Sequence, residues 1–245
     1  MAPNRIAAPL LLVLTAFLLG ACSTGVGPHG QKTNRFDPRY LAKSETDRVV
    51  DANRAEVMVS LRRVAEKLYK RNPKEWKKSG QPSIDAALQR LFAGRVDFPE
   101  LEGRREGAAV LHAFSASYQG DRVLAVMAGL LGMTYAAFEN KDDFYMLDDL
   151  DEQKLYNCAR NIEIAIWKLS SSKMLNGEGS HELVLLSNEL DANHPNLSFE
   201  REFGRVIGLL DFLSKIIADK HGRNITRFTQ NVATAVFFPI GALKF

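Results

Sequence analysis

Residues 123 to 138 read VLAVMAGLLGMTYAAF, sixteen residues without a charge, with Asp121 and Arg122 before them and Glu139 after. A helix built from them is apolar all round, which fits a helix enclosed by other helices rather than one lying on a surface. Its alanines and glycines let neighbouring backbones come close. The run falls short of the ~20 apolar residues that a bilayer-crossing helix needs. Asp121 and Arg122 also stand at its mouth, so membrane insertion is the poorer explanation. The stretch therefore predicts the central helix of an all-α, bundle-like domain.

Immediately upstream, residues 104 to 119 are equally rich in small side chains and predict a helix divided from the central one by Gly120 and Asp121. His112 lies on it and is a general base by residue type. No nucleophile is linked to it in sequence, and a histidine bonded to a hydroxyl or carbonyl at the core boundary is the commoner use.

Further upstream, Val50, Val57, Leu61, Val64 and Leu68 recur at helical spacing and predict an amphipathic helix over residues 46 to 70, with Ser44 and Asp47 as its capping pair. Asn72 and Pro73 end it, and Pro73 suits the first position of one further turn. In that turn Trp76 stands among lysines, where covering a core edge is a better account than touching a membrane. Ser83 then caps a short helix with Ile84, Ala87, Leu88, Leu91 and Phe92 on its apolar face and Gly94 as its stop. Residues 95 to 103 suit a bent connection, because Pro99 biases Phe98 toward extended backbone.

Downstream of the central helix, residues 139 to 152 carry six aspartates and glutamates after Lys141 but no glycine. A calcium loop of the EF-hand type needs a central glycine, so the better reading is that Asp148, Asp149, Asp151 and Glu152 cap and charge the start of a helix over 150 to 172. Cys158 falls on the face shared by 155, 162, 166 and 169 and reads as a small buried hydrophobe. Residues 176 to 180 are the clearest internal turn. The apolar run 183 to 186 then reads as a strand against 173 to 175 or as a turn of helix. His181 and Glu182 open like a zinc-protease helix, but Leu185 occupies the place of the second histidine. After a loop over 191 to 196, Ser198 is expected to cap a long helix reaching Lys220, with His221 and Gly222 closing it. A last helix is predicted over 223 to 236, followed by an apolar tail of Phe237, Phe238, Pro239 and Ile240. Such a tail docks in its own core, enters a partner or touches lipid.

The amino end has a different character. Arg5 precedes an apolar run from 6 to 21 that closes on Leu19, Gly20, Ala21 and Cys22, the layout of a secretory signal. These four residues resemble the lipobox of bacterial lipoproteins, and the resemblance covers residues 1 to 22 only. It implies that Cys22 is lipidated, that residues 1 to 21 are removed, and that the new amino terminus is acylated, which together anchor a protein stably. Ser23, rather than aspartate, follows the cysteine, and the class then implies the outer membrane, facing the periplasm. Residues 22 to 44 read as the lipidated cysteine and its tether. The G-x-G-x-x-G pattern at 25 to 30 has no preceding strand, contains Pro28 and opens no helix, so it is no nucleotide site, and His29 lacks ligand partners nearby. Residues 45 to 245 form the all-α domain.

Without residues 1 to 21 the chain holds 31 basic and 29 acidic side chains, a near-balance that gives no footprint of nucleic-acid binding. With Cys22 lipidated, Cys158 has no thiol to pair with. No residue set presents itself as catalytic, cofactor-binding or metal-binding. The leading expectation is a non-enzymatic structural or adaptor lipoprotein of the envelope, held to the membrane through Cys22 and meeting a partner through the carboxyl-terminal apolar segment. A carrier or sensor of an apolar ligand or lipid is the alternative. An enzyme is the third, with His112 or Glu163 as its polar centre.

Replacing Cys22 with Ser is expected to abolish incorporation of radiolabelled palmitate and to move the protein from the membrane to the soluble fraction of cells. A variant that still carries label refutes the lipobox reading.

Overall fold

A computed structural model describes residues 41 to 94, 97 to 175, 179 to 188, 196 to 227 and 235 to 240. The chain divides into two units, Met1–Ser44 and Glu45–Phe245. Of the first, only residues 41 to 44 are described, so the signal, the lipobox residues Leu19, Gly20, Ala21 and Cys22, and most of the tether lie outside the described residues.

The second unit is all-α, with seven α-helices and one two-stranded sheet among the described residues. The amphipathic pattern over 46 to 70 becomes α1, Glu45–Arg71, and buries Val50, Val57, Leu61, Val64 and Leu68 as its spacing requires. Pro73 opens the short α2, Pro73–Lys78, and Trp76 packs against the core edge. Ser83 caps α3, Ile84–Leu91, by accepting from the Ala86 amide at 3.1 Å. Phe98 is extended before a 3-10 turn at Pro99–Leu101, as its proline demands. After α4, Glu106–Ala113, comes α5, Arg122–Ala137, in which fourteen of sixteen residues are buried. α5 packs against α1, α2, α3, α4 and α6 and is the centre of the unit. α6, Glu152–Ser171, starts at Asp151, whose carboxylate accepts from the Gln153 and Lys154 amides at 2.8 and 3.1 Å. Cys158 is fully buried on it. α7, Ser198–His221, packs on α1 and α6 and ends in left-handed Gly222.

Glycine explains how α4 can lie so close to α5. A Cβ on Gly129 would stand 2.5 Å from the Glu106 carbonyl oxygen and 2.6 Å from Val110. Even alanine would force the helices apart.

The start of α5 holds a closed polar cluster. Asp121 caps the helix by accepting from the Leu124 amide at 2.9 Å, and its other oxygen accepts from the Tyr69 hydroxyl at 3.0 Å and the Ser79 hydroxyl at 3.1 Å. The buried Glu75 carboxylate of α2 accepts from the Arg122 amide at 2.7 Å and pairs with Lys78 at 2.6 Å. The Arg122 guanidinium donates to the carbonyls of Ala113, Ser115 and Tyr118.

That guanidinium is why the helix expected over 104 to 119 stops at Ala113. The carbonyls that would have continued the ladder bend round Arg122 instead. Three further expectations need correction. Ser198 is the first helical residue and not a cap; the preceding Leu197 makes no side-chain cap bond, and the Asn196 side chain accepts from the Ser198 amide at 3.1 Å. The strands are β1, Lys173–Leu175, and β2, His181–Leu183, antiparallel with Met174 opposite Glu182. Only Leu183 of the run 183 to 186 joins them, while Leu185 turns into the core. Residues 223 to 227 and 235 to 239 are non-helical where a last helix was expected; 228 to 234 lie outside the described residues.

There and in two other places, side-chain amides grip non-helical backbone. Gln153 donates to the Thr226 carbonyl at 3.0 Å and accepts from its amide at 2.8 Å. Asn161 holds Phe238 in the same way at 2.8 and 2.7 Å, and Asn72 holds Leu186 at 2.9 and 2.8 Å. Phe237 lies against Gly107 and Ile240 is buried, so the described tail docks on its own body. Among the described residues no helix is long and apolar enough to cross a membrane.

Gly129→Ala is expected to cost about 1–3 kcal/mol by overpacking. Gly132→Ala, whose Cβ would stand at 3.5 Å from its nearest neighbour, is expected to be neutral or to stabilise. Urea denaturation of both variants checks the contrast, and equal costs would refute the close approach at Gly129.

Candidate functional site

Ala128, Gly132 and Ala136 recur every four residues along α5 and leave a trough on one face of the helix. Leu131 and Tyr135 flank it. The end of α3 contributes Leu91, and the bent connection contributes Phe98 and Leu101, whose place is set by the Pro99 turn. Together they enclose a cleft of about 270 Å³ with an apolar floor. Asn140, beyond the end of α5, completes one side.

The polar part of the lining is the run Asp97, Arg104, Arg105 and Glu106. Arg105 pairs with Asp97 at 2.7 Å, and Arg104 pairs with Glu102. Two more arginines lie over the aromatic walls: Arg90 over Phe98 at 5.3 Å from the ring centre and Arg54 over Tyr135 at 5.9 Å. Each has its own acid, Glu100 at 2.6 Å and Asp142 at 2.5 Å.

Glu106 is different. It begins α4 in the left-handed region, φ 49°, a backbone conformation uncommon for a residue with a Cβ. Gly132 of α5 faces it across the trough, its would-be Cβ 3.6 Å from the Glu106 Cγ. Burial raises the carboxyl above the usual glutamate range, and nearby Arg105 offsets only part of that rise. Among the described residues it makes no hydrogen bond and no ion pair. An uncommon backbone angle, partial burial and an unmatched acid coincide in one cleft, as they do at binding sites.

The groups singled out in the sequence fall elsewhere. His112 lies against the Tyr118 ring, centroids 4.3 Å apart, and its Nε2 is buried without a partner among the described residues. Burial and Arg104 hold its pKa below the usual histidine range. Glu163 pairs with Arg160 at 3.0 Å, and Arg160 reaches Asp211 of α7 at 2.7 Å, a brace between helices. Burial pushes the Cys158 thiol up to about 12, so it stays protonated. His221 bridges Glu152 and Asp149 at 3.1 Å each, tying the end of α7 to the start of α6. Of the acidic run, Asp151 caps α6 and Asp149 and Glu152 meet His221, whereas Asp148, expected at the helix start, pairs with Lys141 in the preceding turn and Asp142 pairs with Arg54. Cys22 lies outside the described residues.

Glu106 was not foreseen. Residues 104 to 107 read as an ordinary charged helix start, and the spacing of Ala128, Gly132 and Ala136 was the one visible hint of a trough.

No family model, no curated protein and no solved structure matches this chain.

A carboxyl whose pKa is raised on folding binds its proton more tightly in the folded state. Its contribution therefore favours folding at low pH and is lost as pH rises from the ordinary glutamate range through the raised folded value. Glu106→Gln is accordingly expected to melt higher than the parent at pH 7, with the gap closing toward pH 4. Thermal melts across that range check it, and a gap that does not change with pH would refute it.

Proposed function

We propose that this chain is a lipid-anchored protein of the bacterial envelope whose helical body holds a small apolar ligand without transforming it, as a carrier or sensor. The lipobox residues Leu19 to Cys22 support the anchor, and Ser23 supports the outer membrane with the body in the periplasm. The observation that carries the binding half is the cleft: apolar walls from α3, α5 and the Pro99 turn, with one unmatched carboxyl at its head.

The surroundings of the other reactive groups favour holding over catalysis. His112 packs on a tyrosine, the Cys158 thiol is buried and protonated, and Glu163 is engaged in an interhelical brace. The Ser79 hydroxyl meets the Asp121 carboxylate, but within the polar cluster that caps α5.

A second reading, the structural or adaptor role, is favoured by one braced turn. The Asp148 amide donates to the Tyr145 carbonyl at 2.8 Å and Lys141 holds the Asp148 carboxylate at 2.5 Å. Met146 and Leu147 stand at the tip, 64% and 100% exposed. Rigid display of two large apolar side chains suits a protein contact. A contact at the carboxyl-terminal segment would use the exposed edge of Val236 and Pro239, since Ile240 faces the body.

Gly132→Leu adds a side chain at the head of the trough beside Glu106, and a thermal melt of the variant shows whether the fold is kept. In the full chain carrying Cys22→Ala, titration with 3-methylbutanol is expected to shift the methyl resonances of Leu91, Leu101 and Leu131, and Gly132→Leu to abolish those shifts. Shifts that survive Gly132→Leu, or that spread evenly over the surface, would overturn the ligand-holding reading.

A further inference from the structure

Four arginines stand at or against the cleft, and each is closed by an acid of its own. Arg54 pairs with Asp142, Arg90 with Glu100, Arg104 with Glu102 and Arg105 with Asp97. Four matched pairs leave one charged side chain of the described lining that makes no ion pair among the described residues, and that is Glu106. The carboxyl is half-buried at the head of the trough, with Gly132 of α5 packed close against the Glu106 Cγ. That carboxyl is the one charged group of the described lining free to accept a hydrogen bond from a ligand in the cleft.

The chemistry of that partner follows from the walls. An anion is excluded by Glu106 itself. A neutral hydrocarbon would fill the trough but leave the carboxyl unmatched. A ligand with an N–H-bearing cation at one end and a compact apolar body at the other satisfies both, through a charge-assisted hydrogen bond and burial of its body against Leu91, Leu101 and Leu131. A volume of about 270 Å³ lies at the small end of ligand pockets, which limits the body to a short branched chain or a single ring.

We propose that the cleft between α3, α4 and α5 is a binding site for a small primary ammonium compound with a compact apolar body, its ammonium group held by the Glu106 carboxylate. This rests on the reading that the cleft is the ligand site of the protein.

The test compares 3-methylbutylamine with 3-methylbutanol, two probes of the same body, on the full chain with Cys22→Ala, by methyl and amide chemical shifts at neutral pH. The amine is expected to bind about tenfold more tightly than the alcohol, the order of one charge-assisted hydrogen bond. Glu106→Gln is expected to remove the amine's advantage and bring the two probes to near-equal affinity. Equal affinity in the parent, with the alcohol still bound in the cleft, overturns the ammonium assignment and leaves the apolar site standing; failure of both probes to bind overturns both. The comparison in the parent needs no variant, so a Glu106→Gln protein that does not fold leaves the test intact. Nα-acetyl-lysine N-methylamide stands in for a lysine side chain of a protein partner. It is expected to bind more weakly than the amine, because its peptide flanks meet the Arg104–Glu102 and Arg105–Asp97 pairs at the rim. Tighter binding of that probe would overturn the small-molecule assignment.

Discussion

A buried helix that is apolar on every side has its side chains solved by burial, but its first amides and the charge beside them are not. In this protein the difficulty is met at the amino end of α5, where Asp121 and Glu75 accept from backbone amides and Arg122 feeds three carbonyls. Leaving any one of these buried groups unmade costs ~1–3 kcal/mol, and they are joined, so the loss of one member strands others. The short α2 is positioned by this demand, because it carries Glu75 to the helix start. The end of α4 answers to it as well, since its last carbonyls turn toward the guanidinium. Three helices thus take their boundaries from one cluster.

The same central helix sets up the cleft. Glycine at 129 brings α4 against α5, while the small residues at 128, 132 and 136, on a neighbouring face, line the cleft, with the start of α4 at Glu106 lying against Gly132. Tight packing on one side and a trough on the other come from one composition, rich in alanine and glycine. The trough then draws its character from Glu106, held in a left-handed conformation where α4 begins against Gly132.

How much of this could be read in advance follows the range of each interaction. The faces of α1 and α5, the Ser83 and Asp151 caps, the Gly222 stop and the burial of Cys158 all depend on residues within a turn or two of one another, and the periodicity exposes them. What was missed acts across the chain. The partner of Glu75 is Arg122, 47 residues away, and that of Asn161 is Phe238, 77 residues away. Local propensity favoured a helix over 223 to 236, but Gln153 holds the Thr226 backbone within it and Asn161 holds the Phe238 backbone just beyond it, so tertiary contacts overrode it. Glu106 was hidden for the same reason: a cleft is made by elements that approach from separate parts of the chain.

The amide clamps carry a consequence for how the chain can vary. Asn72, Gln153 and Asn161 each grip the N–H and C=O of one distant residue and ignore its side chain. Leu186, Thr226 and Phe238 can therefore be exchanged for many other residues while the grip persists. Proline is the exception, because it has no amide hydrogen to give. The three carboxamides have no such latitude: aspartate or glutamate offers two acceptors where one donor and one acceptor are required. Three polar side chains thus constrain the sequence more tightly than the residues they hold in place.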